Sequence, residues 1–252
     1  PAVLLATLTC AVLAASAQAA FVAYNDCGGT SPTGSTSYWI GTAVPGTTSG
    51  LLKNFATNTN TGVTLTITTP AGYTSADGDT GGTNGAMGAV GTDAYNIFNG
   101  KIDAKGYMWY NNATTTRARL TFTGLNPAAV YSVALFGNRA GTYTDRYTMF
   151  TIADADSFSN TSSTGVPITD GGATSTVMTG NNTTAGYVAQ YSNIVDSDGT
   201  FYIDVYGQGN SGNTYKWYLN AFSMTETDVP EPASLSLLAL GAVALLGRKR
   251  RA

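Results

Sequence analysis

A period of two is the feature that most constrains this chain. In "VTLTITT" (residues 63–69), Val63, Leu65 and Ile67 fall on one side of an extended backbone, and Thr64, Thr66 and Thr68 fall on the other. "RARLTF" puts Ala118, Leu120 and Phe122 inward and leaves Arg117 and Arg119 outside. "VYSVALFG" is apolar on both faces, as expected of a central strand covered on both sides. "YTMFTI", "YVAQYS", "TFYIDVYG" and "KWYLNAFSM" read as further strands, divided by turn-rich stretches such as "SADGDTGGTNG", "TDGGATS" and "QGNSGN". No convincing helical periodicity occurs in residues 21–228. Roughly eight to ten strands with such loops predict an all-β fold, a single antiparallel β-sandwich of the jelly-roll type. There is no sequence repeat, and "TETDVPEP" is the one stalk-like stretch.

Charge narrows the function classes. Charged residues make up 11% of the chain, against about 25% in an ordinary soluble domain, so its polar surface must come from Thr, Ser, Asn and Gly. Of twelve Lys/Arg, four are Arg248, Lys249, Arg250 and Arg251, which leaves eight against fourteen Asp/Glu in residues 21–228. That balance argues against a nucleic-acid partner, which needs a concentrated basic surface. The sequence has no histidine, which excludes Ser-His-Asp and Cys-His catalysis and histidine metal ligands.

The amino end, "PAVLLATLTCAVLAASAQAA", is an apolar stretch closing on small residues. It reads as a secretory signal peptide over residues 1–19, cleaved after Ala19 or after Ala17, with its basic start expected upstream of Pro1. Thr7 stands where a lipobox has Leu, which argues against Cys10 as a lipoprotein cysteine. Cys10 would leave with the signal, so Cys27 would have no internal disulfide partner.

The carboxyl end is "VPEPASLSLLALGAVALLGRKRRA". Ala233 to Gly247 carry no charge and as a helix would span about 22 Å, against a hydrocarbon core of about 30 Å. Such a segment enters a bilayer by thinning it or by letting Arg248, Lys249, Arg250 and Arg251 snorkel, and those residues hold the tail on the cytoplasmic side. Pro232 suits the first helical turn, and Pro230 and Pro232 keep the chain around Glu231 extended. Val229-Pro230-Glu231-Pro232, a short apolar helix and a terminal basic cluster, in that order, resemble the PEP-CTERM sorting signal of Gram-negative bacteria. The resemblance implies recognition in the inner membrane by an exosortase, a Cys-protease-like transpeptidase. It also implies cutting near Pro-Glu-Pro and release to the surface or the exopolysaccharide matrix. The expected organisation is a signal peptide (1–19), a β-sandwich domain (20–225), a stalk with the sorting motif (226–232), a transmembrane helix (233–247) and a basic cytoplasmic tail (248–252).

A second resemblance lies in "LTFTGLNPAAVYSVALFGNRAGTYTDRYTMFTI". Gly124-Leu125-Asn126-Pro127, Tyr131, Phe136-Gly137-Asn138-Arg139 and Arg146 are similar to the centre of galactose-binding-like jelly rolls in exported bacterial proteins. "WYLNAFSM" is similar to their closing strand. Such modules often bind carbohydrate.

Sugar recognition stacks rings on pyranose faces, so the aromatic residues are the first candidates. Tyr107 and Trp109 share one strand face, with Met108 and Tyr110 on the other. Tyr215 and Trp217 likewise oppose Lys216 and Tyr218. One member of each pair is expected in the core, and the other could serve as a ligand platform beside Asn111, Asn112 and Asn220. Trp39, Trp109 and Trp217 are therefore candidate ligand residues, with core packing as the default. Arg139 and Arg146 flank a loop containing Asp145 and are expected to pair with a carboxylate, with ligand recognition as the alternative. Asp77/Asp79, Asp154/Asp156 and Asp196/Asp198 invite a calcium site, yet none completes an EF-hand, and "DSDGT" reads better as a hairpin turn with Gly199 at positive φ. An all-Asp glycosidase is the remaining enzymatic alternative, since the two glutamates, Glu226 and Glu231, both fall in the stalk or sorting motif. No other cofactor is implied. The chain is expected to be a non-enzymatic exported component of the surface or biofilm matrix, or a module that attaches to exopolysaccharide.

Overall fold

The structure is a computed structural model that describes residues 19–27, 33–36, 47–69, 85–110, 117–208 and 216–228. The expected signal peptide before Ala19, the apolar and basic segments after Asp228, Trp39, Asp77, Asp79, Asn111, Asn112 and Tyr215 lie outside the described residues. The described chain is mostly β, in antiparallel sheets. A seven-stranded sheet runs in the order β2 (Thr47–Asn54), β3 (Thr59–Thr68), β5 (Ala118–Thr123), β12 (Thr200–Gln208), β7 (Tyr147–Ala153), β10 (Thr174–Met178) and β9 (Ile168–Thr169). A five-stranded sheet runs β1 (Ala19–Asp26), β14 (Ala221–Asp228), β6 (Ala129–Phe136), β11 (Ala189–Val195) and β8 (Ser157–Asn160). A small ribbon pairs β13 (Trp217–Leu219) with β4 (Met108–Tyr110).

Alternation decides which side chains meet. Val63, Leu65 and Ile67 of β3 and Ala118, Leu120 and Phe122 of β5 are buried, with their threonine and arginine neighbours at least partly exposed. They share one apolar core with Tyr131, Val133 and Leu135 of β6, Tyr191 of β11 and Phe222 and Met224 of β14. Phe122 of the larger sheet meets Phe222 of the smaller one edge to face, with centroids 5.4 Å apart. The Tyr191 hydroxyl lies 2.6 Å from the Phe150 carbonyl oxygen across the same core.

The doubly apolar end of β6 also has a structural cause. Ala134 and Phe136 face away from the main core and pack with Tyr24, Ala221, Val188 and Phe98. Phe98 belongs to α1 (Asp93–Phe98), a short helix without a counterpart in the sequence expectations. Its start is nonetheless written locally. The Thr92 side chain accepts from the Tyr95 N–H at 3.4 Å, and Asp93 sits in the positive first turn. Six residues are too few to show a period of 3.6, which explains why the helix escapes pattern reading.

The turns depart from expectation in one respect. Gly199 does adopt φ 82°, and both Asp196 and Asp198 accept from the Thr200 N–H. The flanking strands β11 and β12 belong to different sheets, however, so "DSDGT" crosses between sheets and is not a hairpin turn. At the adjacent crossing from β5 to β6, which bonds to this one through Leu125 N–H and Gly199 O, the Tyr131 hydroxyl accepts from Asn126 N–H and donates to Glu226, both at 2.7 Å. β14 continues to Asp228, paired with Ala129 of β6, so the segment assigned to the stalk from residue 226 is strand as far as Asp228.

Candidate functional site

The Phe136-Gly137-Asn138-Arg139 segment leaves β6 through a buried polar hub. Asn138 donates its backbone N–H to Asn220 Oδ1 at 2.7 Å, and its side-chain amide to Ala86 O and Thr183 Oγ1. Its Oδ1 accepts from the backbone N–H groups of Ala140 and Asn182. Asn220 in turn donates to Ala104 O and Asn138 O. These bonds satisfy polar groups that have no access to water, which is the condition for burying them at all. Gly137 is required by contact: a Cβ there would collide with the Tyr218 carbonyl oxygen.

Tyr218 is thereby held on both sides. Its backbone N–H donates to Thr148 Oγ1 at 3.0 Å, and its carbonyl accepts from the same hydroxyl group at 3.2 Å. The fully buried Tyr218 side chain carries its hydroxyl to two arginines, accepting from Arg146 at 2.7 Å and from Arg139 at 3.1 Å. The guanidinium of Arg146 lies 3.3 Å from the centroid of the Tyr143 ring, and that of Arg139 lies 4.9 Å from it. Tyr107 meets Tyr218 edge to face at 5.3 Å, while Trp109 stacks on it at 6.4 Å with 22° between planes. Lys216 places its ammonium 5.9 Å from the Trp109 ring. Four aromatic rings and three cations thus meet at one end of the β6–β7 loop and the β4–β13 ribbon.

The sequence candidates divide on this geometry. Trp109, Arg139 and Arg146 come together, with Trp109 and Arg139 half-buried. Trp217 is wholly enclosed in the main core, which gives its ring a packing role. Among the described residues the expected carboxylate pairing is not formed: neither arginine makes an ion pair with Asp145, whose side chain is exposed, and the Tyr218 hydroxyl and Tyr143 ring take its place. Asp196 and Asp198 are engaged with the Thr200 N–H, and burial followed by the neighbouring Asp198 raises the Asp196 carboxyl above the usual carboxylate range. No group of three or more His, Cys, Asp or Glu side chains with metal-ligand spacing occurs among the described residues. Tyr143, Lys216 and Tyr218 were not among the sequence candidates. Lys216 and Tyr218 stand one residue either side of Trp217, on the opposite face of the strand. Tyr143 sits between two arginines in a loop, where no periodicity points.

Cys27, immediately after β1, is fully buried with a free thiol, and burial pushes its ionisation far above the usual thiol range. It is therefore poorly suited to nucleophilic chemistry.

No curated protein and no solved structure matches the chain. Residues 228–251 match a family described as the PEP-CTERM protein-sorting motif. That match begins at the last residue of β14 and covers the Pro-Glu-Pro, the apolar run and the basic cluster. The carboxyl end therefore carries a match to the PEP-CTERM protein-sorting motif, which points to export by the exosortase route.

Proposed function

We propose that this is an exosortase-processed component of the bacterial surface or extracellular matrix, without catalytic activity of its own. The observation that carries this is the sorting motif at residues 228–251, joined directly to the last strand of the β domain. Pro230, Glu231 and Pro232 serve as the substrate of the exosortase, which supplies the chemistry. The lack of histidine supports a non-enzymatic role, as does the engagement of Glu226 with the Tyr131 hydroxyl. The strand order supports a jelly roll. Taking β1, β5, β6, β7, β10, β11, β12 and β14 as eight successive strands, the first, eighth, third and sixth are neighbours in one sheet. The second, seventh, fourth and fifth are neighbours in the other, as two interleaved Greek keys require. Glu231→Ala is expected to hold the uncut protein in the inner membrane, and deletion of residues 229–252 to leave the domain untethered and unsorted in the periplasm, as followed by fractionating cells into periplasm, inner membrane, outer membrane and medium. Normal cutting of Glu231→Ala together with normal surface delivery of the deletion variant would overturn the proposal.

A second role is favoured by the half-buried Trp109, which lies among side chains able to hydrogen bond. In this role the domain holds the protein to exopolysaccharide, with the indole against a sugar ring. Trp109→Ala is then expected to lower polysaccharide retention at least about fivefold, the size of a stacking contact worth roughly 1–3 kcal/mol in other aromatic platforms. Retention that is indifferent to the change would remove Trp109 from the site.

A further inference from the structure

The same cluster holds an imbalance of charge that the sandwich does not need. Elsewhere in the domain two arginines share one carboxylate. Arg117 and Arg119 reach the buried Asp204 carboxylate at 2.7 and 2.8 Å, and Arg119 also lies over the Tyr202 ring. Arg139 and Arg146 have no such partner among the described residues. Arg146 is only 7% exposed, yet among the described residues its guanidinium donates to a neutral hydroxyl and its Nε–H meets no acceptor. Lys216 joins them at the Trp109 ring. Burial first, then Arg146 and Arg139, hold its ammonium below the usual lysine range, with Tyr143 and Asp145 acting in the other direction. Rings can partly solvate a guanidinium through their negative faces, but they leave its net charge in place. Gathering three cations with no ion-paired carboxylate among the described residues costs stability, and an arriving anion offsets that cost.

The accessible part of the cluster says what kind of anion fits. Trp109, Arg139, Tyr143 and Lys216 are half-buried, whereas Arg146 and Tyr218 form the floor. An indole beside an arginine fork and an ammonium suits a flat apolar sugar face carrying a planar or tetrahedral oxyanion, because guanidinium matches such groups in geometry as well as charge. We propose that this site binds the anionic substituent of an acidic polysaccharide, with Arg139 and Lys216 on the oxyanion and the sugar against Trp109. Arg146 acts as a positioning residue that fixes Tyr143 and Tyr218. The proposal rests on the carbohydrate-binding role above and specifies its substrate class.

The test uses the full chain purified in mild detergent, titrated with polygalacturonate, dextran sulfate and uncharged dextran at two salt concentrations. Either acidic polymer, or both, is expected to bind, with affinity falling steeply as salt rises. Dextran is expected to bind at least tenfold more weakly. Arg139→Met and Lys216→Met are each expected to weaken acidic binding about tenfold or more, whereas Lys53→Met on β2 leaves it unchanged. Binding to polygalacturonate alone assigns a carboxylate and to dextran sulfate alone a sulfate, and both outcomes support the proposal. Equal binding of dextran and the acidic polymers, with both variants indifferent, overturns the charge assignment and leaves carbohydrate binding standing. Acidic binding untouched by the two variants also overturns it. No binding of any polymer rejects both.

Discussion

Replacing Phe122 with alanine is expected to destabilise the domain by about 3–5 kcal/mol, the range for removing a fully enclosed phenylalanine from a core. Phe122 is wholly buried on β5, with Leu65 of β3 and Phe201 of β12 as its strand partners. Its ring lies 5.0 Å from Phe201 within the sheet and 5.4 Å from Phe222 of the opposite sheet. Truncation therefore opens a void between two sheets that are each held rigid by their own ladders, and such a site collapses poorly. Thr121, one residue earlier and on the opposite face, supplies the control: Thr121→Ala should stay within about 0.5 kcal/mol. Urea unfolding of the two variants checks this, and equal losses would mean that the faces of β5 have been misassigned.

Asn220→Ala is expected to cost about 3 kcal/mol or more, although it removes few atoms. The substitution strips the Asn138 N–H of its acceptor and the carbonyls of Ala104 and Asn138 of their donor, all at buried residues. Each buried group left unpaired carries a penalty of roughly 1–3 kcal/mol. The damage should also travel. Asn138 directs the exit of the β6–β7 loop, so retention of polysaccharide should fall along with thermal stability. A loss below about 1 kcal/mol would show that water replaces the amide there, and that the hub does not hold the loop.

Parts of this fold were legible because threonine and arginine mark the outward face clearly. The alternations in "VTLTITT" and "RARLTF" reproduce the buried faces of β3 and β5 residue for residue. "VYSVALFG" foretold a doubly covered strand without revealing that a helix near residue 95 helps cover it. "WYLNAFSM" looked like one strand, since nothing local distinguishes Asn220 from its neighbours. The break into β13 and β14 comes from three tertiary hydrogen bonds to residues far away in sequence. The same limit applies to the site. Arg139 and Arg146 were visible as a motif, and Asp145 was the natural partner by proximity. The partner chosen by the fold, Tyr218, lies more than seventy residues away and is delivered by the β4–β13 ribbon.

A domain with a cationic aromatic site and a tail that directs its own removal would bring an acidic polymer and the bacterial surface together. The apolar run and basic cluster then belong to transit, while Trp109, Arg139 and Lys216 belong to the working molecule. Intact-mass spectrometry of the protein recovered from the cell surface tests that division most directly. The predicted result is a chain that ends near Pro230–Pro232 and lacks residues 233–252. A surface form that still carries Arg248, Lys249, Arg250 and Arg251, or a protein found only in the cytoplasm, would contradict it.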